Sequence, residues 1–321
     1  MVTVLLVLAA VALAVTAGAN DGGSILGAGL GVPGPRPVAR IAILLVTLVV
    51  GPTLLFGTAV ATTLSHGLVP LHDPGGRLVL LEASSSAIVV VLVLARAGLP
   101  TSLTLALVGA ITGAGLGAGL PVHVWILVSI VAYGVGAPVV AAVVAYWLAR
   151  LRLVAVAGGE STDRARRLHT AVFALQCLAY SANGGQKMLA VFAVAIGATS
   201  GGLVHDPPWL AVLTAVLFGA GILLGVRRIS TRLGRDVLAV HLRHALVAEA
   251  SSGLVVMAAG LAGVPLTMSQ SVTGALVGVG ASESPTRVRW PVALTIAGAW
   301  VVTLPASMGF AALAGATVRW L

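Results

Sequence analysis

Asp21 is the residue of this chain best placed to do chemistry. It stands in Gly18-Ala19-Asn20-Asp21-Gly22-Gly23-Ser24, inside an otherwise uncharged apolar run from Val2 to about Leu30. A carboxylate at membrane depth costs about 3 kcal/mol or more, so it persists where it is paired or used. Neighbouring glycines loosen the backbone there. A second polar interruption, Ala182-Asn183-Gly184-Gly185-Gln186-Lys187, falls 163 positions later inside the apolar run 169–202. Helices broken at equivalent places point to the binding site of a transporter. Two roles are open to Asn20 and Asp21: a helix kink whose acid is satisfied by a neighbour, or a carboxylate that coordinates a cation beside exposed backbone groups.

Other candidates come in pairs. Glu82 and Glu249 each open an apolar run and are each followed by Ala-Ser-Ser. A lone glutamate there would cap a helix N-terminus; the duplication favours cation work, by oxygen coordination of sodium or by carrying a proton. Pro100-Thr101-Ser102-Leu103-Thr104 and Pro265-Leu266-Thr267-Met268-Ser269-Gln270 are hydroxyl clusters at the mouths of glycine-rich segments. Proline in a first helical turn leaves N–H groups free to face an anion. Lys187 is the only lysine; it either snorkels to the surface, neutralises Asp21 or attracts an anion. The histidines lack metal-ligand spacing and are expected at interfaces, and Cys177 is expected as packing.

The elements that must position these groups are membrane helices. Hydrophobic residues make up 59% of the chain and charged residues 8%, against about 25% charged in soluble domains. Mean hydropathy is +1.09. The apolar runs are continuous rather than alternating, which predicts helices and not a barrel. The first run has no basic region before it, so it is expected as a membrane helix rather than a cleaved leader. Ten runs are legible, at about 2–30, 38–65, 78–95, 98–118, 122–149, 168–202, 209–226, 245–262, 264–282 and 290–318. If each crosses once, fifteen arginines fall on inside loops and only Arg77 on an internal outside loop, a strong positive-inside bias. The net charge of +9 therefore reports topology and not nucleic-acid binding.

The halves also repeat. Asn20 aligns with Asn183, Glu82-Ala83-Ser84-Ser85 with Glu249-Ala250-Ser251-Ser252, Gly109 and Gly113 with Gly274 and Gly278, and Pro138 with Pro305. Five crossings per half make the second copy enter from the opposite side. The expected architecture is thus an all-α polytopic membrane protein of about ten transmembrane segments in two inverted repeats with broken helices. Repeat 1 covers 1–150, a basic cytoplasmic linker 151–167, and repeat 2 168–321. An enzyme is not expected, since no metal motif, nucleophile elbow or phosphate-binding glycine loop is present.

These motifs resemble the inorganic phosphate transporter (PiT) family of sodium- or proton-coupled symporters. Gly18-Ala19-Asn20-Asp21 is similar to that family's first signature, and Ser181 to Lys187 to its second copy. The two Pro-hydroxyl clusters and Ala299-Trp300-Val301-Val302-Thr303-Leu304-Pro305-Ala306 also match. The resemblance implies one phosphate site enclosed by the repeats. Asn20, Asp21, Ser102 and Thr104 would bind from the first half, and Asn183, Thr267, Ser269 and Gln270 from the second. Asp21, Glu82 and Glu249 would serve the coupling cation, with Lys187 as a charge partner.

The chain departs from the family pattern at several positions. Gly184 replaces the second aspartate, Leu103 and Leu105 a hydroxyl residue and a histidine, Met268 a hydroxyl residue, and Gln270 a histidine. The function expected is cation-coupled symport of inorganic phosphate by alternating access, in a multi-pass cell-membrane protein. No cofactor or transition metal is expected, only a transported sodium ion or proton. The expected partners are phosphate, the coupling cation and the lipid bilayer, with a homo-oligomer left open. Two alternatives stand beside this: a sulfate or other oxyanion symporter of the same fold, and a non-transporting membrane subunit or sensor whose site has degraded.

Overall fold

The computed structural model describes residues 1–27, 32–71, 75–96, 101–151, 162–200, 203–204, 207–236 and 241–318. Residues 152–161 of the expected linker, Pro100, His72 and His205 lie outside the described residues. The described chain is helical apart from a two-residue antiparallel pair, β1 (Thr199–Ser200) and β2 (Leu203–Val204). Among the described residues, six helices are long and apolar enough to cross a membrane: Val2–Gly27, Gly76–Arg96, Val124–Arg150, Pro208–Gly225, Leu242–Leu261 and Trp290–Ala316.

The first helix, α1 (Val2–Gly27), is not interrupted at Asn20 as expected. It winds on through a single wider π-turn, Gly18–Gly22. The second signature does the same: α6 (Thr162–Tyr180) passes through a π-turn, Ser181–Gly185, into α7 (Gln186–Ile196). Glycines let the backbone widen without a break, and π-turns of this kind gather at functional sites. The expected "broken helices" are therefore bulged ones, with their backbone groups kept inside the helix.

The run 38–65 does break. α2 (Pro37–Val50) ends in a wide turn, Gly51–Phe56, that contains Pro52. Gly57 then takes a left-handed φ of 64°, open to glycine at little cost. Short turns follow at Ala59–Thr62 and Thr63–Gly67. Gln186 pins this segment: its side-chain oxygen accepts from the backbone N–H of Val60 at 2.8 Å and of Ala61 at 3.3 Å.

After α3 (Gly76–Arg96) comes α4 (Leu103–Ala118), and after α5 (Val124–Arg150) and α6–α7 come α8 (Pro208–Asp236), α9 (Leu242–Leu261), α10 (Met268–Glu283) and α11 (Trp290–Val318). α4 and α10 have 16 residues each, about 24 Å of helix against a hydrocarbon core of about 30 Å. Both are deeply enclosed; Leu103 to Gly115 is buried without a gap. Each packs on a helix from the other end of the chain. α4 lies on α11, where a methyl at Gly109 or Gly113 would overlap the carbonyls of Leu304 or Met308. α10 lies on α5, where Gly274 and Gly278 meet the carbonyls of Pro138 and Ala142 in the same manner. Small residues that let helix backbones touch are the usual cement of membrane helix pairs. Likewise α1 packs on α8 and α2 on α6.

Candidate functional site

The π-turn of α1 turns both polar side chains of the first signature inward, where Asn20 and Asp21 are buried. Asn20 Nδ2 donates to Asp21 Oδ1 at 2.9 Å and to the carbonyl of Thr101 at 3.3 Å. Thr101 Oγ1 donates back to Asn20 Oδ1 at 3.2 Å. Asn20 thus clamps the stretch just ahead of α4. Asn183, in the other π-turn, clamps the stretch ahead of α10. Its Nδ2 donates to the carbonyl of Val264 at 2.7 Å, and its Oδ1 accepts from the N–H of Leu266 at 2.8 Å. Each asparagine reads both a donor and an acceptor of its loop, which an aspartate or leucine of similar size would not do.

The two clamped loops meet. Ser102 and Thr267 are the N-cap residues of α4 and α10, and their hydroxyl oxygens lie 2.6 Å apart. Ser102 Oγ also accepts from Leu105 N at 3.1 Å, which satisfies one of the free donors of the first turn. Thr104 Oγ1 donates to the carbonyl of Leu266 at 3.2 Å. Lys187 Nζ donates to Thr104 Oγ1 at 2.5 Å and also to the carbonyl of Leu266. Lys187 therefore does not snorkel; it is buried and spans both loops. Ser269 and Gln270 are buried on the first turn of α10, and Ser269 Oγ has no hydrogen-bond partner.

A cavity of about 10 Å³ lies between Asp21, Thr104, Tyr180, Gly184 and Lys187, closed by Leu13, Ala17, Leu103, Leu107 and Met188. That is about the room that one water molecule needs. One wall was missed in the sequence reading: Tyr180, whose hydroxyl donates to Asp21 Oδ2 at 3.0 Å. Its place on the helical face shared with Asn183 and Lys187, at i, i+3 and i+7, is the signal that could have found it.

The two glutamates are placed differently. Glu82 is half-buried on α3. Glu249 is fully buried on α9, with its Oε1 3.1 Å from His169 Nε2 and 3.7 Å from Arg40 Nη1. His169 Nδ1 faces the carbonyl of Pro33 at 2.7 Å, and Arg40 Nη2 lies 3.1 Å from His169 Nε2. Arg40 also stacks over Phe173 at 4.8 Å, a cation–π contact. Two expectations are corrected here. Arg40 is no exposed loop charge, because it follows Pro37 by three residues and so lies on α2, whose buried face carries it inward. His169 is no interfacial histidine, because α6 places it on the face packed against α9. Glu249 is thus held in a buried polar cluster with Arg40 and His169 that joins α2, α6 and α9. Among the described residues no group of three or more His, Cys, Asp or Glu side chains could hold a metal ion.

A helical membrane protein whose buried polar side chains converge on two facing helix tips is of the class that transports solutes. The model of the phosphate transporter family matches residues 36–175 and 156–311, and the chain belongs to that family. It is 32% identical over 199 residues to a "probable low-affinity inorganic phosphate transporter" of Mycobacterium leprae, covering 61% of this chain and 46% of that protein. To the protein of the same description in Mycobacterium bovis it is 31% identical over 315 residues, 94% of this chain and 74% of that one. The Bacillus subtilis counterpart is 25% identical, with 98% and 96% covered. A solved structure described as "the sodium-dependent phosphate transporter" has the same fold, with a TM-score of 0.83 at 17% identity, covering 99% of this chain and 98% of that chain.

Proposed function

We propose that this protein is a cation-coupled symporter that moves inorganic phosphate across the membrane by alternating access. The single observation that carries the reading is the meeting of the α4 and α10 N-termini, joined through Ser102 and Thr267 and clamped by Asn20 and Asn183. Two helix N-termini aimed at one spot form an anion site from opposite sides. The relatives' descriptions name phosphate, and a tetrahedral oxyanion suits the donors present. Ser102, Thr104, Thr267, Ser269 and Gln270 would hold its oxygens, with Asn20 and Asn183 fixing the loops. Phosphate is larger than the cavity, so binding would part the Ser102–Thr267 and Lys187–Thr104 contacts and replace them with bonds to the anion.

Asp21 would organise the coupling cation, with Glu82 and Glu249 assisting and Lys187 balancing charge. Ten crossings in two inverted halves, 1–150 and 168–321, joined by the basic linker 151–167, remain our topological reading. It is supported by the reciprocal packing of α4 on α11 and α10 on α5. The test is uptake of labelled phosphate in proteoliposomes under separately imposed sodium and proton gradients. We expect uptake driven by one of the two, abolished by Asp21→Asn in a folded protein, and not competed by sulfate. Wild-type uptake by the variant would remove Asp21 from the mechanism.

A further inference from the structure

The 163-residue shift that lays Asn20 on Asn183 sets Asp21 against Gly184 and Ala17 against Tyr180. In the first half a small residue precedes an acid by four positions. In the second an aromatic precedes a glycine by four. We propose that these differences are one change: Tyr180 fills the volume that an acid side chain at 184 would need and donates a hydrogen bond to Asp21, leaving a transport site with a single carboxylate.

Three features on different residues converge. A Cβ on Gly184 would fall against the Cε2–Cζ edge of the Tyr180 ring. The ring is 1% exposed and packs on Phe218 with centroids 5.4 Å apart, so it has no room to swing aside. Its hydroxyl then reaches across to Asp21 Oδ2 at 3.0 Å, while Asn20 Nδ2 serves Oδ1 at 2.9 Å. The carboxylate is therefore held by one donor from each half. A phenol gives Asp21 a hydrogen bond without adding charge. Asp21, Tyr180, Gly184 and Lys187 line one cavity, whose charged groups are one carboxylate and one ammonium. A second acid would raise the number of cations needed to balance the site during transport, so the missing carboxylate at Gly184 lowers the coupling number by one, and Tyr180 is the residue that positions Asp21 in its place.

This rests on the transport reading above, and the experiment separates the two. Full-length wild type, Tyr180→Phe, Gly184→Asp and the double variant Tyr180→Ala/Gly184→Asp are compared for Tm in detergent and for phosphate uptake in potential-clamped proteoliposomes. Tyr180→Phe keeps the ring but takes the donor from Asp21 Oδ2, so its Tm should fall by less than that of Gly184→Asp while maximal uptake falls about tenfold, the worth of a hydrogen bond to a charged group. Gly184→Asp should lower Tm, and the double variant should recover it and carry one more positive charge per phosphate. Wild-type uptake by Tyr180→Phe, a wild-type Tm for Gly184→Asp, or an unchanged charge-to-phosphate ratio in the double variant would each overturn the proposal. If wild type itself moves no phosphate, the transport reading fails and the coupling claim with it. The Tm comparison still reports on Tyr180 and Gly184 alone.

Discussion

Ser102 Oγ and Thr267 Oγ1 stand 2.6 Å apart although 165 positions separate them in the chain. They are the caps of two short enclosed helices, so one hydrogen bond ties the tips of α4 and α10 together. Anything that enters between those tips must first part this pair.

The pair is therefore expected to act as a unit. Ser102→Ala and Thr267→Ala should each raise the KM for phosphate several-fold, about threefold to tenfold. The double variant should exceed the product of the two, because each single change already removes the contact that binding must break, and the double removes it only once. The check is a double-mutant cycle on uptake KM; strictly multiplicative effects would mean that the hydroxyls act separately.

The buried Arg40–Glu249 pair gives a stability prediction. Breaking a buried ion pair from one side leaves the other charge without compensation, at a cost of about 3–5 kcal/mol. Arg40→Met or Glu249→Gln alone should lower Tm sharply, whereas the two together should lie closer to wild type. Thermal unfolding of all three variants in detergent decides this. Equal losses in the double and the singles would show that packing over Phe173, rather than charge, dominates at Arg40.

At the surface end of α10, Glu283 gives a pH dependence. His244 Nε2 lies 2.8 Å from Glu283 Oε1, and Arg287 pairs with the other oxygen at 2.9 Å. The hydrogen bond from His244 holds this carboxyl below its ordinary value of 4.5, against a smaller opposing push from burial. A carboxyl depressed in the folded state adds stability above its unfolded value and loses it as the pH falls through the folded one. Glu283→Gln should thus lower Tm modestly at pH 7, with the gap to wild type closing below about pH 4. A gap that persisted at lower pH would point to the shape of the side chain rather than its charge.

Much of this was legible in the amino-acid order. Asn20, Asp21, Ser102, Thr104, Asn183 and Thr267 stood out because polar groups within apolar runs are costly and seldom idle, and the structure gathers all six. Arg40 and His169 were misread because composition does not say which face of a helix is turned inward. Their burial depends on α2, α6 and α9 meeting, a tertiary fact. The π-turns were seen as breaks because glycine permits both, and only the helices on either side decide between them. Tyr180 escaped notice for a plainer reason: its spacing from Asn183 and Lys187 puts it on their face of the helix, but nothing in the order of residues says that Asp21 faces it.

The crosswise packing of α4 on α11 and α10 on α5 bears on synthesis. A ribosome that has delivered only the first 150 residues has made the notch at Gly109 and Gly113 but not the helix that fills it. The α5 surface that will later receive α10 is likewise still bare. The early half must wait in the bilayer, incompletely assembled, until the last helix emerges. A gene cut between the halves would be expected to yield working protein only when both pieces are made together in the same membrane.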